Sequence, residues 1–130
     1  MSRLEIELPL PPVAASPNSR CYWAVKHKAT AKMRSDGWLA ATSAIREQKP
    51  AGLPWERATV RATFFFRTRR RRDQDNANAS LKAYLDSLQD AGVVLNDSFL
   101  EPLPPVFEVD GSDPRVVLVV ERVKQPEDYE

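Results

Sequence analysis

The stretch RVVLVVERV, residues 115–123, constrains this chain more than any other. Its apolar side chains follow one another without alternation, so both faces of a strand made from it are apolar. Such a strand belongs in the centre of a sheet, flanked by neighbours and covered by another layer. The rest of the chain supplies candidates for both. RLEIELPL alternates, with Leu4, Ile6 and Leu8 on one side and Arg3, Glu5 and Glu7 on the other, and it ends at Pro9 and the Pro11-Pro12 pair. ATVRATFFF, residues 58–66, is rich in β-branched and aromatic residues and reads as the best strand of all. Val106–Val109 is a further, irregular strand behind Pro102, Pro104 and Pro105, with DGSDP at 110–114 as the turn into the central strand.

Two helices are expected between these strands. From Ser35 to about Gln48 a stripe of Trp38, Leu39, Thr42 and Ile45 recurs, closed by Lys49-Pro50, with Gly37 counting slightly against it. From Asn76 to Ala91 the stripe is Leu81, Tyr84, Leu85, Leu88 and Ala91, and Gly92 stands where a C-terminal cap belongs. Pro9 to about Met33 reads as a long loop. The order β-α-β-α-β-β gives an α/β (α+β) fold, a small mixed sheet with helices packed against it. Residues 1–124 are expected to form one domain, and 125–130 a polar tail. At 130 residues such a domain buries about two-thirds of its unfolded surface.

Composition removes several function classes. No apolar run approaches the roughly 18 residues that span a bilayer, and MSRLEIELPLPP lacks a signal-peptide core, so a cytoplasmic protein is expected. Cys21 is the only cysteine and His27 the only histidine, which excludes a four-ligand zinc site within the chain. Cys21 is expected to be structural, and any metal would be a hard ion held by carboxylates. The small net charge hides an asymmetry. From Asp97 onward nine acids face Arg115, Arg122 and Lys124, whereas seven arginines fall between Arg57 and Arg72. Either one basic face meets a polyanion or the asymmetry serves solubility alone. Arg20, Tyr22, Trp23, Lys26, His27, Lys28 and Lys32 mix cations with aromatics in the same way. They either follow a nucleic-acid backbone, or the aromatics pack on the core while the lysines are solvated.

The chemistry concentrates in RTRRRRDQDN, residues 67–76. Asp73 and Asp75 point to the same side of an extended chain, at a strand-to-helix junction where phosphate is also favoured. Two converging carboxylates repel unless a cation lies between them, and Mg²⁺ meets that need with waters and phosphate oxygens. On a helix running from Asp75, Lys82 and Asp86 return to within about 20° of its direction. Asn78, Lys82 and Asp86 follow at four-residue spacing. Asp97 follows the VVL segment at 93–95, which is able to carry it back along the helix. Each piece has a plainer reading: a chance Asp-x-Asp, a surface ion pair, a localisation or RNA-binding patch. Together they are the parts of a nuclease.

RRRRDQDNANASLKAYLDSLQDAGVVLND resembles the signature of the RusA-type endodeoxyribonucleases, the Holliday junction resolvases of bacteria and their phages. That pattern is a basic run, Asp-x-Asp-Asn, a helix with Leu-Lys-x-x-x-Asp-x-Leu, then a turn and an acidic end. LPLPP with Asn18, Arg20 and Tyr22 is similar to the family's N-terminus, so the resemblance spans about Leu4 to Val123. It implies that Asp73, Asp75 and Asp97 hold magnesium (Mn²⁺ substituting) and that Lys82 serves cleavage. It implies a DNA contact from Arg72; the basic stretches add Arg67, Arg69, Arg70, Arg71, Arg20 and Lys26, with Asn18, as DNA-binding candidates, and Asn76 and Asp86 as candidate support. It further implies a homodimer that resolves four-way DNA by paired symmetric nicks. This chain has about three extra residues between Asp75 and Lys82, and Asn96 stands where many members carry another aspartate. The rival from another class is a non-catalytic DNA- or RNA-binding module that uses the arginines without metal. A haloacid-dehalogenase-like phosphotransferase also uses Asp-x-Asp after a strand, but in a longer α/β chain without an arginine run.

Overall fold

A computed structural model describes residues 2–17, 20 and 22–124; Asn18 and Cys21, discussed above, lie outside the described residues, as does the 125–130 tail. Five strands form one mixed sheet: β1 (Arg3–Leu8), β2 (Ala58–Phe66), β3 (Leu100–Pro102), β4 (Val106–Val109) and β5 (Arg115–Arg122). β5 lies between β1 and β2 and is antiparallel to both, which is the central position its sequence demands. β3 and β4 lie end to end along the other edge of β2, both parallel to it. The prolines from 102 to 105 separate them, and Leu103 N–H reaches Val60 O at 2.8 Å. β3 is a strand that the sequence did not announce. Three residues with a proline at the end carry too little pattern to be read.

The register aligns one face into rows. Leu4, Val120 and Val60 stand abreast, then Ile6, Leu118 and Ala62, then Leu8, Val116 and Phe64. All nine are buried. At roughly 1.5–3 kcal/mol for each large side chain withdrawn from water, these rows are the main source of stability. The opposite face carries Val117 and Val119 half-buried among Glu5, Glu7 and Arg61, so β5 is apolar on both sides but fully covered on one.

Helix α1 runs from Trp23 to Gln48, twelve residues longer at its start than the Ser35 expectation. Its buried positions are Met33, Gly37, Ala41 and Ala44, not Trp38 and Leu39, which are exposed. The packed stripe is made mostly of small residues, so hydrophobicity alone pointed to the wrong face. Gly37 is there because α3 comes too close for a side chain: a Cβ added to it would fall on Ser87 Oγ and lie 2.9 Å from Ser87 Cβ. At the far end of α1 the Gln48 amide donates to Glu5 O at 2.7 Å and accepts from Glu5 N–H at 2.9 Å. A side chain thus satisfies part of the free edge of β1.

The expected helix from Asn76 to Ala91 is two helices, α2 (Gln74–Ala79) and α3 (Lys82–Asp90). At the break Leu81 N–H bonds to Asn78 O, three residues back, and Ser80 Oγ–H bonds to Ala77 O at 2.6 Å. A serine hydroxyl competing for the backbone and a tightened turn end α2 there. Within α3, Tyr84 and Leu88 are buried as expected, joined by Ala83 and Ser87. Tyr84 O–H donates to Pro9 O at 2.8 Å and so ties the proline segment after β1 to α3. No described helix is long and apolar enough to cross a membrane.

Candidate active site

The arginine run leaves the sheet at Phe66, the last residue of β2. Phe64 and Phe66 stack with centroids 5.6 Å apart, and Phe107 of β4 meets both edge-on. Six residues later the chain has doubled back, and the Arg72 guanidinium lies 3.5 Å from the centre of the Phe66 ring. Arg72 Nε is buried with no hydrogen-bond partner among the described residues. Burial first, and the like charge of Arg70 second, push its pKa below the ordinary arginine value. Arg67, Arg69, Arg70 and Arg71 are exposed.

This folded-back segment divides two clefts. The larger, about 850 Å³, is lined by Arg67, Arg70, Arg71, Arg72, Asp73 and Asn76, and by the proline segment from Leu10 to Val13. The smaller, about 500 Å³, has Arg69, Arg70 and Arg72 opposite Phe107 and Glu108. A concentration of cations in concave surface with an aromatic floor suits a phosphate backbone.

Asp73 caps α2, accepting the Asn76 N–H at 3.1 Å, and Asp75 lies exposed in the first turn of that helix. Asn76 accepts Ser16 O–H at 3.0 Å, and Ser16 O in turn receives Lys26 Nζ at 3.4 Å. Lys26 of α1 is thereby brought toward the arginine cleft; Arg20 is exposed ahead of the helix. Asn78 donates to Leu103 O at 3.1 Å, anchoring α2 to the sheet edge.

Lys82, Asp86 and Asp97 form a second group. Gly92, with φ of 82°, turns the chain out of α3, and Val93 and Val94 run beside Trp55. This brings Asp97 back to α3, where its N–H donates to Gln89 Oε1 at 3.1 Å. Lys82 Nζ lies 3.3 Å from Asp86 Oδ1. Asp86 is pushed above the ordinary carboxylate range, chiefly by burial and then by the neighbouring Asp97 carboxyl, while Lys82 pulls the other way. The VVL segment therefore does carry Asp97 back along the helix. Arg34 of α1 pairs with Asp90 on the same side, at 2.6 and 2.9 Å.

The expected convergence of Asp73, Asp75 and Asp97 differs from this arrangement. Among the described residues no three His, Cys, Asp or Glu side chains gather closely enough to hold a metal ion. Asp97 meets Asp86 instead, and the alignment of Asp75 with Lys82 is not carried by one helix, because the chain breaks between them. Two further residues matter that the sequence left unremarked. Phe66 seats Arg72, and its signal was an aromatic closing a strand just ahead of a cationic run. Gln89 positions Asp97, and nothing in its surroundings marked it. The chain matches no protein-family model and no curated protein.

Proposed function

We propose that this chain is a Mg²⁺-dependent, structure-specific endodeoxyribonuclease acting on branched DNA, of the RusA-like kind that its motif resembles. The observation that carries this reading is the doubled-back arginine segment, which lines one cleft with Arg67, Arg70, Arg71, Arg72 and Asp73. The arginines hold backbone phosphates, which fixes position without reading sequence. Oxygen ligands suit a hard cation, and the contact between Asp86 and Asp97 is a like-charge pair that a cation relieves. Asp73 and Asp75 at the start of α2, and Asp97 with Asp86 beside α3, are the carboxylates that would be offered to Mg²⁺, as two groups that among the described residues do not gather into one. A Mg²⁺ ion held by these carboxylates would supply a water of lowered pKa for attack on the phosphodiester. Lys82, 3.3 Å from Asp86, is placed to face the phosphate as negative charge builds on it. A four-way junction requires two paired nicks, and a two-fold symmetric homodimer supplies two sites.

A labelled four-way junction and a linear duplex, each incubated with and without Mg²⁺, test the reading. Symmetric nicks confined to the junction, dependent on Mg²⁺ and lost in Asp75→Asn, are expected. Metal-independent binding without cutting would leave the non-catalytic binding module in its place.

A further inference from the structure

Tyr22 and Trp23 open α1 with 71% of their surface exposed in each case. Large aromatics so exposed are uncommon where nothing meets them. The bland expectation, that they pack on the core, does not describe them. Their rings lie 6.2 Å apart and 35° from parallel, a tilted pair facing outward rather than two unrelated side chains. Val25, in the same turn of the helix, is 53% exposed, and Val13 from the proline segment is 85% exposed.

Along the chain the charge next to this pair has one sign, although Lys32 and Arg34, farther along α1, are paired with Asp36 and Asp90. From Pro9 to Ser35 there is no aspartate or glutamate, while Arg20, Lys26, Lys28, Lys32 and Arg34 all fall within that stretch. The patch is also joined to the arginine cleft. Lys26 reaches Ser16 O, Ser16 reaches Asn76, and Ser16, Val13 and Asn76 all line the cleft that holds Arg70 and Arg71. Lys26, three residues after Trp23, thus ties the start of α1 to that cleft.

We infer that Tyr22 and Trp23 form a stacking platform for unpaired bases of a DNA strand whose phosphates run along Arg67–Arg72. Duplex bases are already stacked on one another and present only their edges. An exposed indole beside a phenol gains nothing from them, whereas an unpaired base offers a π-face to either ring. The cations supply affinity for any strand, and the aromatics supply the preference for strand that is open. This rests on reading the arginine cleft as a nucleic-acid surface, but not on cleavage.

The test uses the full chain without Mg²⁺, a labelled oligothymidine strand, a fully paired duplex, and vesicles containing an anionic phospholipid. Trp23→Ala is expected to weaken binding of the oligothymidine by about tenfold while hardly moving duplex affinity. Trp23→Phe should keep most of the single-strand affinity, since it retains a ring. Equal loss on both DNAs, or loss on neither, overturns the platform. So does failure of the wild-type chain to bind the strand, or Trp23-dependent binding to the vesicles in its place. Nicking assays on the same variants separate the two claims. Trp23-dependent strand binding with no junction cleavage sinks the nuclease and leaves the platform. Junction cleavage with strand binding indifferent to Trp23 does the reverse.

Discussion

At the scale of single residues, Arg72 shows how one side chain packs on the sheet and shapes a cleft at once. Its guanidinium covers the Phe66 ring while its neighbours turn outward, so the run is bent into a cleft wall rather than left as a solvated tail. A planar, delocalised cation stacks on an aromatic face in a way that an ammonium does not. Arg72→Lys is therefore expected to lower stability by about 1 kcal/mol, and in a Phe66→Leu background most of that difference should vanish. Denaturant melts of the four proteins measure it; an undiminished Arg72→Lys effect without the ring would show that the stack contributes nothing. Glycine at 37 is a second such case. Gly37→Ala should cost roughly 1–3 kcal/mol through overpacking, and adding Ser87→Ala should recover part of it because the nearest obstructing atom is the serine hydroxyl oxygen. A double variant no more stable than Gly37→Ala would place the strain elsewhere.

Between elements, the contact of α1 with α3 is fastened by Arg34 and Asp90. The hydrogen bond from Arg34 holds the Asp90 carboxyl below its ordinary pKa. A depressed carboxylate pKa contributes stability that is present above the unfolded value of about 4 and is lost as pH falls through the folded value. Asp90→Asn should therefore melt below wild type at neutral pH, and the gap should close as pH drops below about 4. A gap that stays constant with pH would mean the charge plays no part. The elements also show what the sequence made legible. β1, β2, β4 and β5 were readable because alternation, β-branching and the DGSDP turn each have a local cause. The first half of α1 was not, since Ala, Lys and Thr form a helix there without an apolar stripe. The choice of buried face failed for a related reason: close helix packing selects Gly37, Ala41 and Ala44 for smallness, and a hydrophobicity count favours Trp38 and Leu39 instead. The break at Ser80 turns on one hydroxyl taking a backbone carbonyl, which no periodicity announces.

Across the whole molecule, charge is divided between regions. The basic stretches before and within residues 57–72 meet at the larger cleft through Ser16 and Asn76. On the sheet, Arg115 gathers Glu7, Asp110 and Asp113 at 3.3, 2.9 and 3.7 Å and lies over Phe65, so part of the acidic C-terminal charge is balanced locally. The cations of the candidate site were legible residue by residue, because a run of arginines can hardly be hidden. The acids were legible only as a set. Which of them meet depends on the break between α2 and α3 and on the Gly92 turn, both tertiary facts. If the arginines hold phosphates, each Arg→Ala in the cleft should weaken duplex binding and flatten its logarithmic salt dependence by about 0.9; Arg71→Ala, measured by anisotropy over a salt series, tests that, and an unchanged slope would remove Arg71 from the interface. The central claim is that arginines hold the DNA while the acids on α3 and its return segment serve the cut. Binding and single-turnover cleavage of one labelled four-way junction by wild type and Asp97→Asn test it most directly. Retained affinity and a cleavage rate lower by about a hundredfold in Asp97→Asn are expected. Cleavage at the wild-type rate by that variant would contradict it.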